Sequence, residues 1–125
     1  MNTEDFVTHE QALALKKLGF SYDCDYLYLD KSQLIKYDYH NEFYNVQFYE
    51  NCISAPTLAQ AQKWLRESKG IYIEPNFIYT PVFEVMIKSE HYALYKRIDE
   101  RYASYEEALS AGIAKCLKLL ENGYF

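Results

Sequence analysis

Val82-Phe83-Glu84-Val85-Met86-Ile87-Lys88 places Phe83, Val85 and Ile87 on one side of an extended chain and Glu84, Met86 and Lys88 on the other. A period of two marks a strand with one buried face. Ser89-Glu90-His91 follows as a turn, and Tyr92 to Ile98 reads as the return strand. A helix comes next. Ser104 opens it, Glu107 stands three residues on, Ala108 follows, and Tyr105, Leu109, Ile113, Cys116, Leu117 and Leu120 recur at helical spacing. The hairpin has an apolar face and the helix an apolar stripe, so each is the natural cover for the other. Asn122-Gly123 closes the helix. Gly112 inside it costs about 1 kcal/mol relative to Ala, a cost that makes sense where a helix must approach a sheet closely.

The same helix start occurs twice more upstream. Thr57 is followed by Gln60 and Ala61, with Leu58, Ala61, Trp64 and Leu65 as the apolar stripe and Ser68-Lys69-Gly70 as the end. Thr8 is followed by Gln11 and Ala12, with Ala12, Leu15 and Leu18 on one face and Gly19 as the stop. The pattern is a capping box: the hydroxyl accepts from the third residue's N–H, and the third side chain reaches back to the cap. These residues satisfy backbone groups and mark no site. Between the first two helices, Tyr26-Leu27-Tyr28-Leu29 is a strand, Asp30-Lys31-Ser32 a turn and Gln33 to Tyr39 a second strand. His40-Asn41-Glu42 is a polar break, Phe43 to Tyr49 carries a weaker strand signal, and Asn51 to Pro56 is a connector. Ile71-Tyr72-Ile73 is a short strand, after which Pro75 and Pro81 bracket a loop, since each removes a backbone donor. The predicted order is α-β-β-(β)-α-β-β-β-α. It describes an α+β fold, an antiparallel sheet of hairpins with three helices, in a single domain over residues 1–125.

Composition narrows the function classes. Tyrosine is abundant, at 14 residues against one Trp, and mean hydropathy is -0.37 although half the residues are apolar. Tyr buries a ring while keeping a hydroxyl for water or a partner. Net charge is -5, and it lies in residues 1–55, where nine acidic face four basic side chains; residues 56–125 hold nine of each. An acidic chain is a poor match to nucleic-acid phosphates or an anionic membrane. No apolar run approaches the roughly 18 residues of a membrane helix. The start Met1-Asn2-Thr3-Glu4-Asp5 is acidic where a secretion signal is basic. Cys24, Cys52 and Cys116 are odd in number and widely spaced, which fits reduced thiols in the cytoplasm.

No catalytic or cofactor motif emerges. His9, His40 and His91 are isolated, and His9-Glu10 lacks the second His of a metalloprotease helix, position 13 being Leu. Asp23-Cys24-Asp25 lacks the glycine and the distal Glu of a calcium loop and reads as a solvated turn. The glycines are scattered, so no phosphate cradle exists, and no G-x-S-x-G elbow occurs. The expectation is a non-enzymatic protein with no cofactor and no metal. The stretch Tyr22 to Tyr49 is unusually rich in rings, and on alternating strands some must face outwards. Tyr26, Tyr28, Tyr37, Tyr39 and Tyr44 are the candidate contacts for another protein, since Tyr is enriched at interfaces. The alternative is nucleic-acid binding through the neutral C-terminal half, with Lys96, Arg97 and Arg101 on phosphates and Tyr95 as a stacking ring.

Two resemblances follow from these segments. Glu4-Asp5-Phe6-Val7-Thr8 with Gln11-Ala12 and Lys17-Leu18-Gly19-Phe20 supplies the first part of one. Ser54-Ala55-Pro56-Thr57 with Gln60-Ala61 and Trp64-Leu65-Arg66-Glu67 continues it. Tyr102, Ser104-Tyr105-Glu106-Glu107-Ala108 and Cys116-Leu117-Lys118-Leu119-Leu120 complete it. Together these resemble a group of small uncharacterised proteins from Bacteroidales and their phages and mobile elements. That resemblance implies a bacterial or phage cytosolic setting and no particular activity. Separately, residues 57–121 read α-β-β-β-α, and Val82–Leu120 is similar in pattern to the second half of a double-stranded-RNA-binding domain. That family grips phosphates with lysines at the start of its last helix. Glu106 and Glu107 stand there instead and would repel a phosphate backbone. The sequence therefore points to an accessory or protein-interaction domain, monomeric or homodimeric, with a protein partner and no membrane contact.

Overall fold

A computed structural model of the chain describes residues 3–31, 33–36, 52–90 and 95–124. Element order agrees with the expected α+β arrangement. A short 3-10 turn, Thr3–Asp5, leads into helix α1 (His9–Lys17), strands β1 (Tyr26–Asp30), β2 (Gln33–Lys36) and β3 (Ile53–Ser54), and helix α2 (Leu58–Lys69). Strands β4 (Ile71–Tyr79), β5 (Val82–Ser89) and β6 (Tyr95–Tyr102) and helix α3 (Tyr105–Glu121) complete it. The strands form two antiparallel three-stranded sheets, ordered β2-β1-β3 and β4-β5-β6.

The capping signals place the helices as expected, with one difference. In α1 and α2 both halves of the box form: Thr8 and Thr57 accept from the N–H of Gln11 and Gln60, whose side chains accept in return from Thr8 N–H and Thr57 N–H. In α3, Ser104 accepts from Glu107 N–H, but the Glu107 carboxylate accepts from Ala103 N–H at 3.1 Å, one residue further back. Gly70 ends α2 with φ 64, a left-handed conformation that a Cβ would strain.

Three strand boundaries differ from the sequence reading. The connector Asn51–Pro56 contains β3, whose Ile53 and Ser54 pair with Tyr28 and Leu27. The return strand β6 runs on to Tyr102, four residues past Ile98. The largest correction concerns Pro75, which lies within the nine-residue strand β4 instead of opening a loop. Glu90 N–H donates to Gly70 O at 2.8 Å, so Gly70 and Glu90 form a hydrogen-bonded pair. Counting in twos along the register, Pro75 opposite Val85 falls on a non-hydrogen-bonded pair. On this outer strand the missing N–H would have pointed away from β5, so the ladder loses nothing. Residues 37–39 of the second predicted strand, the weaker strand signal at 43–49 and residues 92–94 of the return strand lie outside the described residues.

One cluster of buried side chains draws on all three helices and the second sheet: Leu15 from α1, Leu65 from α2, Ile73 from β4, Val85 and Ile87 from β5, and Ile113 and Cys116 from α3. Tyr28 and Ile53 pack against it from the first sheet. Gly112 lets α3 settle on the second sheet. A Cβ there would come within 2.6 Å of Ile73 Cγ2 and 2.7 Å of Val85 Cγ2. Gln11 is buried on α1 and ties that helix to α3, its Nε2 donating to Ser110 O at 3.0 Å and Ser110 Oγ at 3.2 Å. The α3 stripe departs from expectation at Tyr105, which is exposed, and Leu119 is buried beside Leu120, which packs half-buried on the cluster.

Candidate interaction surface

The second sheet outruns its helical cover. Phe77, Phe83 and Val85 follow Ile73 and Ile87 on the face that packs against α3, as the register Phe77↔Phe83 and Ile73↔Ile87 requires. Under the middle of α3, at Ile73, Val85 and Ile87, this face is buried. Where α3 begins, at Tyr105, it emerges into solvent. Phe77 is 61% exposed, Tyr79 61%, Tyr105 43% and Ile78 40%. The rings form a ladder: Phe77 and Phe83 meet edge-on with centroids 5.6 Å apart, and Phe83 meets Tyr105 at 6.4 Å. Phe83, half-buried and packed on the core cluster, anchors this ladder to the fold. Thr80 and Pro81 close the hairpin through a cis peptide bond and are exposed. With about 200 Å² per ring, the exposed parts of Phe77 and Tyr105 on this face come to roughly 200 Å², and Ile78 and Tyr79 add a similar area around the tip.

Acidic groups border the tip. Phe83 pairs with Tyr102 across the sheet, which brings in Glu100 and Arg101 from β6. Tyr102 Oη donates to the exposed Glu100 carboxylate at 3.1 Å. Glu106 and Glu107 stand in the first turn of α3 beside Tyr105. Arg101 is neutralised by Glu84, at 3.1 Å, a carboxylate only 8% exposed. Among the described side chains, the border is therefore net negative.

The tyrosines singled out from the sequence occupy different positions. Tyr26 packs edge-on to Phe6 at 4.8 Å. Tyr28 meets the His9 ring at 5.4 Å, and its hydroxyl donates to Val7 O, with burial pushing its ionisation up. Both rings hold the N-terminal segment against the first sheet, where Val7 N–H donates to Pro56 O at 3.1 Å. Tyr37, Tyr39 and Tyr44 lie outside the described residues. Of the alternative set, Tyr95, Lys96 and Arg97 stand in β6 opposite Lys88, Ile87 and Met86, away from the tip, while Arg101 is engaged by Glu84. The exposed cluster Phe77, Ile78, Tyr79 and Tyr105 escaped the sequence reading. The run Asn76-Phe77-Ile78-Tyr79 ahead of Thr80-Pro81 was its visible signal, an apolar run too long for a polar loop.

Two other features have chemistry to consider. A groove of about 490 Å³ runs between α1 and α3, floored by Ala14, Ala114 and Leu117 and edged by Glu10, Lys17 and Lys118. Its one hydroxyl, on Thr8, caps α1. Among the described residues no His, Cys, Asp and Glu side chains gather as a metal site. Cys24 donates to Tyr22 O at 3.5 Å, and burial, reinforced by Asp23 and Asp25, pushes its thiol up to about 11. Burial alone pushes the Cys116 thiol up to about 12. No helix among the described residues is long and apolar enough to cross a membrane. The site and fold define an α+β protein with an aromatic hairpin tip. No family model, curated protein or solved structure matches the chain.

Proposed function

We propose that this is a non-enzymatic protein-interaction domain, acting in the cytoplasm of a bacterium or one of its mobile elements, and that it binds another protein through the β4–β5 hairpin tip. The observation that carries the proposal is the exposure of Phe77, at 61%, on a ladder anchored in the core, with Tyr79 equally exposed beside it at the hairpin tip. An exposed ring exacts a solvation cost that folding does not recover, whereas a partner that covers it does. Preorganisation supports the same reading. Phe77 rests edge-on against Phe83, a contact that reduces the side-chain entropy to be lost on binding. A photo-crosslinking residue placed at position 77, with one at the exposed Tyr124 as control, tests the proposal in the source cell. A protein adduct formed from position 77 and not from 124 is expected. Adducts from both positions alike, none from 77, or a nucleic-acid adduct would overturn it.

A further inference from the structure

We propose that the segment received by the hairpin tip is an apolar or aromatic residue flanked by lysine or arginine side chains; this rests on the protein-binding reading above. Three observations converge on that occupant. The apolar area is roughly 200 Å² on the ladder face, with a similar area around the tip. A second copy would set a like-charged acidic rim against this one, so a second copy is a poor fit. An inserted peptide side chain needs no more than this area, and the ladder Phe77–Phe83–Tyr105 supplies ring faces and edges for it. The border then selects charge. Glu100, Glu106 and Glu107 edge the rings on the β6 and α3 sides, and the one described cation among them, Arg101, is already compensated by Glu84. A basic flank meets carboxylates at that rim, and an acidic flank or a phosphate backbone meets repulsion.

Location in the fold strengthens the case. Glu107 is fixed by the Ala103 N–H and Glu100 by the Tyr102 hydroxyl, so two of the rim carboxylates are positioned before any partner arrives. These same residues belong to the neutral half of the chain, so the charge at the tip is local and is not a reflection of the acidic first half.

The test uses the full chain, isotope-labelled, and three synthetic nine-residue peptides sharing an Ile-Phe-Leu core and flanked on each side by three Lys, three Gln or three Glu. Amide shifts are followed by NMR at low and high salt. The Lys-flanked peptide is expected to move the signals of residues 77–83 and 102–107, to bind at least tenfold more tightly than the Gln-flanked one, and to lose that advantage at high salt. Changing Glu100→Gln and Glu106→Gln together, with Glu107 remaining, should cut the Lys preference severalfold and leave binding of the Gln-flanked peptide unchanged. Equal affinity for all three peptides would overturn the charge inference while leaving the protein-binding reading intact. Shifts absent, or confined to other surfaces, would overturn both. Concentration-dependent shifts of the same signals without peptide would assign the tip to a second copy and overturn the basic-segment inference.

Discussion

Gln11 and Gln60 occupy the same place in the same motif, yet replacing each by Glu should give opposite results. Both side chains accept a hydrogen bond from their cap residue, Gln11 from Thr8 N–H at 2.9 Å and Gln60 from Thr57 N–H at 2.8 Å. A carboxylate does this equally well and interacts favourably with the helix N-terminus by about 0.3–1 kcal/mol. Gln60→Glu should therefore leave stability unchanged or raise it by up to about 0.5 kcal/mol. Gln11 has a second task. It is 6% exposed, and its Nε2 donates to Ser110 O on α3. In Gln11→Glu an oxygen replaces that donor and faces the Ser110 carbonyl. Losing the bond, setting an oxygen against that carbonyl and burying a charge together cost about 2–4 kcal/mol. Urea unfolding followed through the buried Trp64, the single Trp of the chain, reads the difference directly. The pH dependence has a definite sign. Burial raises the introduced carboxyl above its unfolded value of about 4.3, so the native state holds the proton more tightly. The protonated form donates to Ser110 again. The deficit of Gln11→Glu is thus present at neutral pH and shrinks as pH falls toward about 4.3. Equal, pH-independent stabilities for the two variants would refute the assignment of Gln11 as the α1–α3 tie.

Gly112→Ala sets helix propensity against packing. The added Cβ meets Ile73 Cγ2 at 2.6 Å and Val85 Cγ2 at 2.7 Å, both on β-branched side chains with little rotamer freedom. Overpacking of about 1–3 kcal/mol outweighs a propensity gain of about 1 kcal/mol; a more stable variant in thermal unfolding would contradict the close approach. Tyr28→Phe leaves Val7 O without its hydroxyl partner and should cost about 1–2 kcal/mol, with faster amide exchange at residues 6–8. Unchanged exchange would remove Tyr28 from its role as a staple. The Cys24 thiol, at about 11, should react with a thiol reagent at pH 8 roughly tenfold more slowly than a free cysteine, the smaller thiolate fraction being partly offset by a more nucleophilic thiolate; reaction at the free rate would contradict its environment. Because the folded values of Cys24 and Cys116 lie above the ordinary 9.0, their contribution to stability is intact below pH 9 and declines as pH rises toward 11–12.

The helices were legible because their determinants are local. A Thr or Ser with Gln or Glu three residues on specifies a cap within one turn, and the stripe Leu58, Ala61, Trp64 and Leu65 is buried as its spacing implies. Gly112 was legible too, as a glycine whose propensity cost needed a packing reason. Strand β4 was less so. Proline forbids a ladder donor only where a ladder donor is needed, and whether Pro75 faces β5 or open space depends on the pairing phase fixed by Gly70 and Glu90. Misplacing that strand concealed the tip. Phe77 and Tyr79 read as loop residues until the register with β5 aligns Phe77 with Phe83. Similarly, Tyr26 and Tyr28 form part of an aromatic-rich stretch in the sequence, but their contacts with Phe6, His9 and Val7 depend on the N-terminal segment returning across β1.

Affinity of the Phe77→Ser/Tyr79→Ser double variant for the protein crosslinked at position 77 tests the central claim most directly, measured by calorimetry beside its urea midpoint. Both rings are more exposed than buried, so their replacement should cost the fold about 1 kcal/mol or less while weakening binding at least thirtyfold, the effect of losing an interface hot spot of about 2 kcal/mol. Undiminished affinity, or a loss of binding matched by unfolding of the variant, would contradict a binding role for the hairpin tip.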